Sequence, residues 1–97
     1  MEKKEILSFF SALSDETRLD IVLALIEGER TVSQIHKGLS HLTLSGVSHQ
    51  LHYLWDKGIL EMRRNGRERY YSLSDTFCWC ILKDAQRHGQ GKCGCGR

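Results

Sequence analysis

The chain has 97 residues, carries 14 Lys and Arg against 12 Asp and Glu, and contains 40% apolar residues, four Cys and no Pro. A chain this short buries only roughly 60 to 65% of the surface its unfolded form exposes, so it is expected to be one domain with a thin core that a partner subunit would enlarge. Its longest apolar runs, residues 21–26 and 77–82, span six residues each, well short of a membrane-crossing helix, and the opening Met1-Glu2-Lys3-Lys4-Glu5 mixes both signs of charge. The expectation is a cytoplasmic protein with reduced thiols and no membrane partner.

The formal charge of +2 conceals an asymmetry. Residues 1–30 hold seven acids and four bases, whereas residues 31–97 hold ten bases and five acids. Such an imbalance gathers positive potential on one part of a small surface, which points to a polyanion as partner.

Ile6, Phe9, Phe10 and Leu13 follow the i, i+3, i+4, i+7 spacing of one helical face, with Leu7 widening it. Ser14-Asp15 then supplies oxygens to cap a second helix. Leu19, Val22, Leu23 and Ile26 repeat the spacing up to Gly28, and Ile21 and Leu25 make this the most buried element. A short third helix is expected from Thr31 or Ser33 to Gly38, turning Val32, Ile35 and Leu39 inward.

Thr43 caps a fourth helix that places Val47, Leu51, Leu54 and Trp55 on one face and stops at Gly58. Its opposite face carries Ser45, Ser48, His49, His52 and Asp56 as a polar stripe. Short hydrogen-bonding side chains on an uncluttered helix face suit insertion into a nucleic-acid groove.

Asn65-Gly66 separates two strand-like segments and is the pair most favoured in a two-residue hairpin turn. Closing the turn there predicts that Arg64 faces Arg67, Arg63 faces Glu68, Met62 faces Arg69 and Leu60 faces Tyr71, with Leu60, Met62, Tyr71 and Leu73 on one face. Two opposed arginines repel until an anion sits between them, so the tip is read as a phosphate contact.

Ser74-Asp75 is read as the cap of a fifth helix reaching His88, apolar most of the way round through Phe77, Cys78, Trp79, Cys80, Ile81 and Leu82. A surface of that kind must be covered, and together with the first helix it predicts a homodimer interface. Residues 1–88 would then form the DNA-binding and dimerisation domain, and the Gly- and Cys-rich residues 89–97 a flexible tail.

Short helices, a polar groove-entering helix and a basic hairpin make a winged helix-turn-helix, mainly α with a small β-hairpin. The segments FSALSDETRLDIVLALIEGERTVSQI, LSGVSHQLHYLWDKGIL and RRNGRERYYSLSD together cover most of residues 9–75, and in combination they resemble the ArsR/SmtB family of repressors. The resemblance implies a homodimer on a pseudo-palindromic double-stranded DNA operator, released in most members by a metal, metalloid or oxidant. By position it places Ser45, Ser48, His49 and His52 along the major groove, Arg63, Arg64, Arg67 and Arg69 in the wing, and Thr43 as the cap beside a phosphate. The chain departs from the family pattern at Gly46, where relatives carry Thr or Ala, and in a 38–42 loop one residue longer than usual.

The family's helix-three cysteine site falls on Thr31 and Ser33, so it is absent. Of the inter-helix zinc set, Asp75 and His88 match while Phe77 and Gly91 do not, leaving half a site. The chain offers instead Cys78-x-Cys80 and Cys93-x-Cys95. Helical residues two apart point about 200° from each other, so Cys78 and Cys80 do not chelate one ion unaided, whereas glycines around Cys93 and Cys95 let both sulfurs turn to one centre. Thiolates favour Zn(II), Cd(II), Cu(I) or As(III), and thiols near Lys83, Lys92 or Arg97 equally suit a regulatory disulfide.

Plainer roles stand beside these. Cys78 and Cys80 also fit a dimer core as small apolar side chains, His49 and His52 form an i, i+3 pair, His36 and His41 suit capping or solvation, and Trp55 and Trp79 suit packing. The fold requires no cofactor. A zinc-stabilised winged-helix protein-interaction adapter, and a regulator whose cysteines sense nothing, are the alternatives. No nucleophile, base and orienting acid group recognisably, so neither an enzyme nor a small organic substrate is expected.

Overall fold

The computed structural model describes residues 2–75 and 79–89. In chain order the elements are α1 (Lys3–Leu13), α2 (Glu16–Ala24), β1 (Arg30–Thr31), α3 (Val32–Gly38), α4 (Leu44–Asp56), β2 (Leu60–Asn65), β3 (Glu68–Leu73) and α5 (Cys80–Gly89). Three antiparallel strands form one sheet in the order β1-β3-β2. No helix among the described residues is long and apolar enough to cross a membrane.

Each helix start has a local cause. Asp15 accepts from the Arg18 N–H at the head of α2, and Thr43 accepts from the Gly46 N–H at the head of α4. Thr31 and Gln34 exchange side-chain and backbone hydrogen bonds as a capping box at α3. The buried core draws on every layer: Phe9, Ala12 and Leu13 from α1, Ile21 and Val22 from α2, Ile35 from α3, and Leu60 and Tyr71 from the sheet. Val47, Leu51 and Leu54 of α4 are fully buried, so the helix is seated by its apolar stripe.

Four expectations from the sequence are corrected. The hairpin pairs Leu60 with Leu73, Met62 with Tyr71, Arg63 with Tyr70, Arg64 with Arg69 and Asn65 with Glu68, a slip of two residues that moves the loop to Gly66-Arg67. Gly66 has φ +67° and Arg67, like every described non-glycine residue, does not have positive φ, the signature of a type II′ loop instead of type I′. The slip brings apolar residues directly opposite apolar residues, which outweighs the local preference of Asn-Gly for the turn.

Helix α2 ends at Ala24, before the turn leading to Gly28, and Arg30–Thr31 then adds a short strand against β3 that the sequence reading missed. Trp55 is 41% exposed and does not join Val47, Leu51 and Leu54 in the core. Finally, the described helix α5 runs from Cys80, so Ser74-Asp75 is not its immediate cap; residues 76–78, Phe77 among them, lie outside the described residues. Trp79 sits in the preceding turn, its Nε1 donating to the Ser74 carbonyl at 2.7 Å and its ring tilted against Phe9.

Candidate nucleic-acid interface

The N-terminal ends of α3 and α4 and the start of β3 enclose an open cleft of about 420 Å³, lined by Val32, Ser33, Leu44, Ser45, Ser48, Arg67, Glu68 and Arg69. The hairpin register explains why the arginines reach it. Arg64 and Arg69 lie opposite each other on the same hairpin face as the core-packed Met62 and Tyr71, beyond the edge of the core, and Arg67 occupies the loop. Arg64, Arg67 and Arg69 are exposed and, among the described residues, form no ion pair. A like-charge pair therefore exists, but it joins Arg64 to Arg69 and not to Arg67.

Helix α4 presents its polar stripe to solvent. Ser45, His49 and His52 are exposed and Ser48 is half-buried. Thr43 is exposed at the cap, with Oγ1 2.9 Å from the Gly46 nitrogen. The His52 ring rests against Trp55 with centroids 5.4 Å apart and planes tilted by 45°, so the C-terminal end of the stripe is aromatic. The first backbone N–H groups of a helix carry partial positive charge, which adds to the arginines across the cleft.

Arg63 is placed elsewhere. It projects from the other hairpin face, bonds both carboxylate oxygens of Glu29 at 3.1 and 3.0 Å through Nε, and lies 4.4 Å above the Tyr70 ring. This hydrogen bonding lowers the Glu29 carboxyl below its ordinary range and raises the Arg63 guanidinium. Arg63 thus fastens the base of the wing to the segment before β1.

One supporting residue escaped the sequence reading, and a second, His36, is given a definite partner. Arg18 donates through Nε to the Ala12 carbonyl at 2.7 Å and through Nη1 to Gln50 at 3.4 Å, and lies over the Tyr53 ring, joining the end of α1 to α4. His36 Nε2 lies 2.8 Å from the Leu42 carbonyl and holds the turn between α3 and α4. The contacts of Arg18 with Gln50 and Tyr53 join segments distant in sequence, and no local spacing signals them.

Ile6, Leu7 and Phe10 on α1 and Ile81 on α5 are between 40% and 61% exposed. Cys80 is also exposed, and Asp75 is exposed with its backbone N–H directed at Glu61. Cys78, Cys93 and Cys95 lie outside the described residues, as does the side chain of His88. Among the described residues no three His, Cys, Asp or Glu side chains gather as a metal site, so no metal chemistry is derived from them.

A three-helix core with a projecting basic hairpin defines a winged helix-turn-helix, the architecture of a groove-reading protein. A model described as a helix-turn-helix domain matches residues 13–63. A transcriptional repressor SmtB homolog of Synechocystis is 34% identical over 89 residues, covering 92% of this chain and 67% of the relative. A cadmium resistance transcriptional regulatory protein CadC homolog of Staphylococcus aureus is 34% identical, covering 87% of the chain and 69% of the relative. The homodimeric winged helix-turn-helix DNA-binding domain of a Mycobacterium bovis protein superposes with a TM-score of 0.75 at 26% identity, over 90% of this chain and 80% of that one. The chain belongs to the ArsR/SmtB family of winged helix-turn-helix, DNA-binding transcriptional regulators.

Proposed function

We propose that the protein is a homodimeric repressor that reads a pseudo-palindromic operator with Ser45, Ser48, His49 and His52 in the major groove. Arg64, Arg67 and Arg69 then lie along the adjoining phosphates, and Thr43 caps α4 beside the backbone. The observation that carries this reading is the shared cleft, which Ser45 and Ser48 of α4 line together with Arg67 and Arg69 of the wing, with His49 and His52 exposed further along the same helix. Short polar groups read base edges while arginines set register, so the two sets have separable effects. The exposed apolar residues of α1 and α5 supply the dimer face, in keeping with the homodimeric mycobacterial domain.

Selection of bound fragments from genomic DNA, followed by titration of variants, tests the assignment. Arg67→Ala is expected to weaken binding to all duplexes and lower the salt slope, whereas Ser48→Ala or His49→Ala changes the preferred sequence. Equal losses from all three on every duplex would overturn the division of roles.

Release of DNA is assigned to the thiols. Cys80 is exposed at the head of α5, beside the proposed dimer face, and Cys78, Cys93 and Cys95 supply three more thiolates for Zn(II), Cd(II), Cu(I) or As(III). With a peroxide as oxidant, two of these thiols would form a disulfide instead. Titrating each ion and peroxide against the operator complex checks this, and a variant with all four Cys changed to Ser that responds like the parent would sink it.

A further inference from the structure

Leu44 is out of place for a residue with only a structural task. It is the first residue of α4, is 50% exposed, and is absent from the apolar residues packed on the core. Its surroundings are those of the proposed reading head, because it lines the same cleft as Ser45, Ser48, Arg67 and Arg69. Among the described residues it is the only large exposed apolar side chain in that cleft.

We infer that Leu44 is a specificity-determining residue that packs on the 5-methyl group of a thymine in each half-site. The inference rests on the DNA reading and deepens it. The thymine 5-methyl is the one bulky apolar group at the major-groove base edges; cytosine presents only a C5–H at that place, and the remaining functional groups donate or accept hydrogen bonds. A branched apolar side chain on the first turn of the groove helix has that methyl as its matching partner. Flanking serines bond neighbouring edges, and the wing arginines hold the helix at contact depth through phosphates. Leu44 thereby selects thymine over cytosine at its position, a distinction that hydroxyl groups, which both donate and accept, make poorly.

The test uses the full-length chain and the operator obtained by genomic selection. Each thymine of the half-site is replaced in turn by deoxyuridine, which removes the methyl and leaves the pairing edge intact. For the parent protein, one symmetric pair of thymines is expected to show a loss of about threefold to fivefold per half-site, the scale of one buried methyl group. Leu44→Ala is expected to bind the natural operator more weakly by a similar factor and to be indifferent to deoxyuridine at that pair. Leu44→Gln serves as a second variant, and thermal melts confirm that both fold, as the exposure of Leu44 predicts. Equal affinity of the parent for thymine and deoxyuridine at every position would overturn the inference while leaving DNA binding intact. Undiminished methyl sensitivity in Leu44→Ala would overturn it as well, and absence of binding to any duplex at low salt would remove the DNA reading beneath it.

Discussion

Arg63 on β2 grips the carboxylate of Glu29, a residue of the segment before β1, with Nε 3.1 and 3.0 Å from the two oxygens while Nη2 reaches one of them. The pair closes a link between positions 34 residues apart and braces the wing from the face opposite Arg64 and Arg69. Glu29 already neutralises the guanidinium through Nε and Nη2, so Arg63 and Arg67 are not equivalent. Arg67→Ala is expected to reduce the slope of log affinity against log salt by about 1 per subunit, whereas Arg63→Ala leaves the slope nearly unchanged. Binding isotherms at four salt concentrations decide the matter, and parallel losses of slope would contradict it.

The same pair makes a pH prediction. Hydrogen bonding from Arg63 lowers the Glu29 carboxyl, so its contribution to stability is fully present above the ordinary carboxylate range and is lost as pH falls through the lower folded value. Parent and Glu29→Gln are therefore expected to differ in Tm at neutral pH, the variant melting slightly lower, and to converge in acid. The pair is exposed, which keeps the effect small. Melts from pH 7 down to about 3 measure the convergence, and a constant difference would show that Glu29 acts through something other than its charge.

Thr43 and Gly46 are coupled at the head of the recognition helix. A Cβ at position 46 would lie 3.1 Å from Thr43 Oγ1, tight against the oxygen that accepts the Gly46 N–H. Thr43→Ala is expected to cost about 1 kcal/mol through loss of the cap. Gly46→Ala gains about 1 kcal/mol of helix propensity but crowds the cap, so in the parent it is close to neutral, and in the Thr43→Ala background it recovers most of that gain. Urea unfolding of the four proteins in the cycle tests this, with strict additivity as the contrary result.

Arg18 ties the end of α1 to α4. Its Nε–H meets the Ala12 carbonyl at 2.7 Å, and the guanidinium lies 4.6 Å over Tyr53. Arg18→Ala is expected to destabilise the fold by about 2 kcal/mol, the scale of a charge-assisted hydrogen bond with its packing. Arg18→Lys keeps the charge and loses the planar stack, so it recovers less than half. Chemical denaturation checks the size, and a full recovery by lysine would reduce the role of Arg18 to charge alone.

What the sequence discloses, and what it hides, divides along a physical line. The caps Asp15, Thr31 and Thr43, the buried stripe Val47-Leu51-Leu54 and the polar face Ser45-Ser48-His49-His52 depend on neighbours within a turn or two, so spacing reveals them. The hairpin register depends on a competition between Asn65-Gly66 and the cross-strand match of Met62 with Tyr71, and the longer-range term prevails. Short strand β1, the Glu29–Arg63 link and the reach of Arg18 to Gln50 join segments distant in sequence, for which no local pattern exists. Trp55 is the instructive case of periodicity failing: the core continues past it at Leu54 and Ile59, but at 100° per residue Trp55 falls at the edge of the stripe, where its ring lies beside His52.

The proposed dimer face can be broken without touching the core. Phe10 is 50% exposed and meets its neighbour Phe9 edge-on at 5.3 Å, whereas Phe9 is buried. Phe10→Asp places a charge where an apolar partner surface is expected, and each fully buried aromatic ring contributes roughly 1.5 to 3 kcal/mol to association. With two copies per dimer, the dissociation constant is expected to rise on the order of 100-fold or more. Operator affinity should fall toward that of a half-site, because two recognition helices one duplex turn apart bind together only when the subunits are joined. Sedimentation equilibrium reads the first effect and footprinting the second, while circular dichroism of the dilute variant is expected to retain the parent's helix content. A variant that remained dimeric with unchanged operator affinity would move the interface off α1, and loss of helix content would instead show that Phe10 is needed for the fold of the subunit itself.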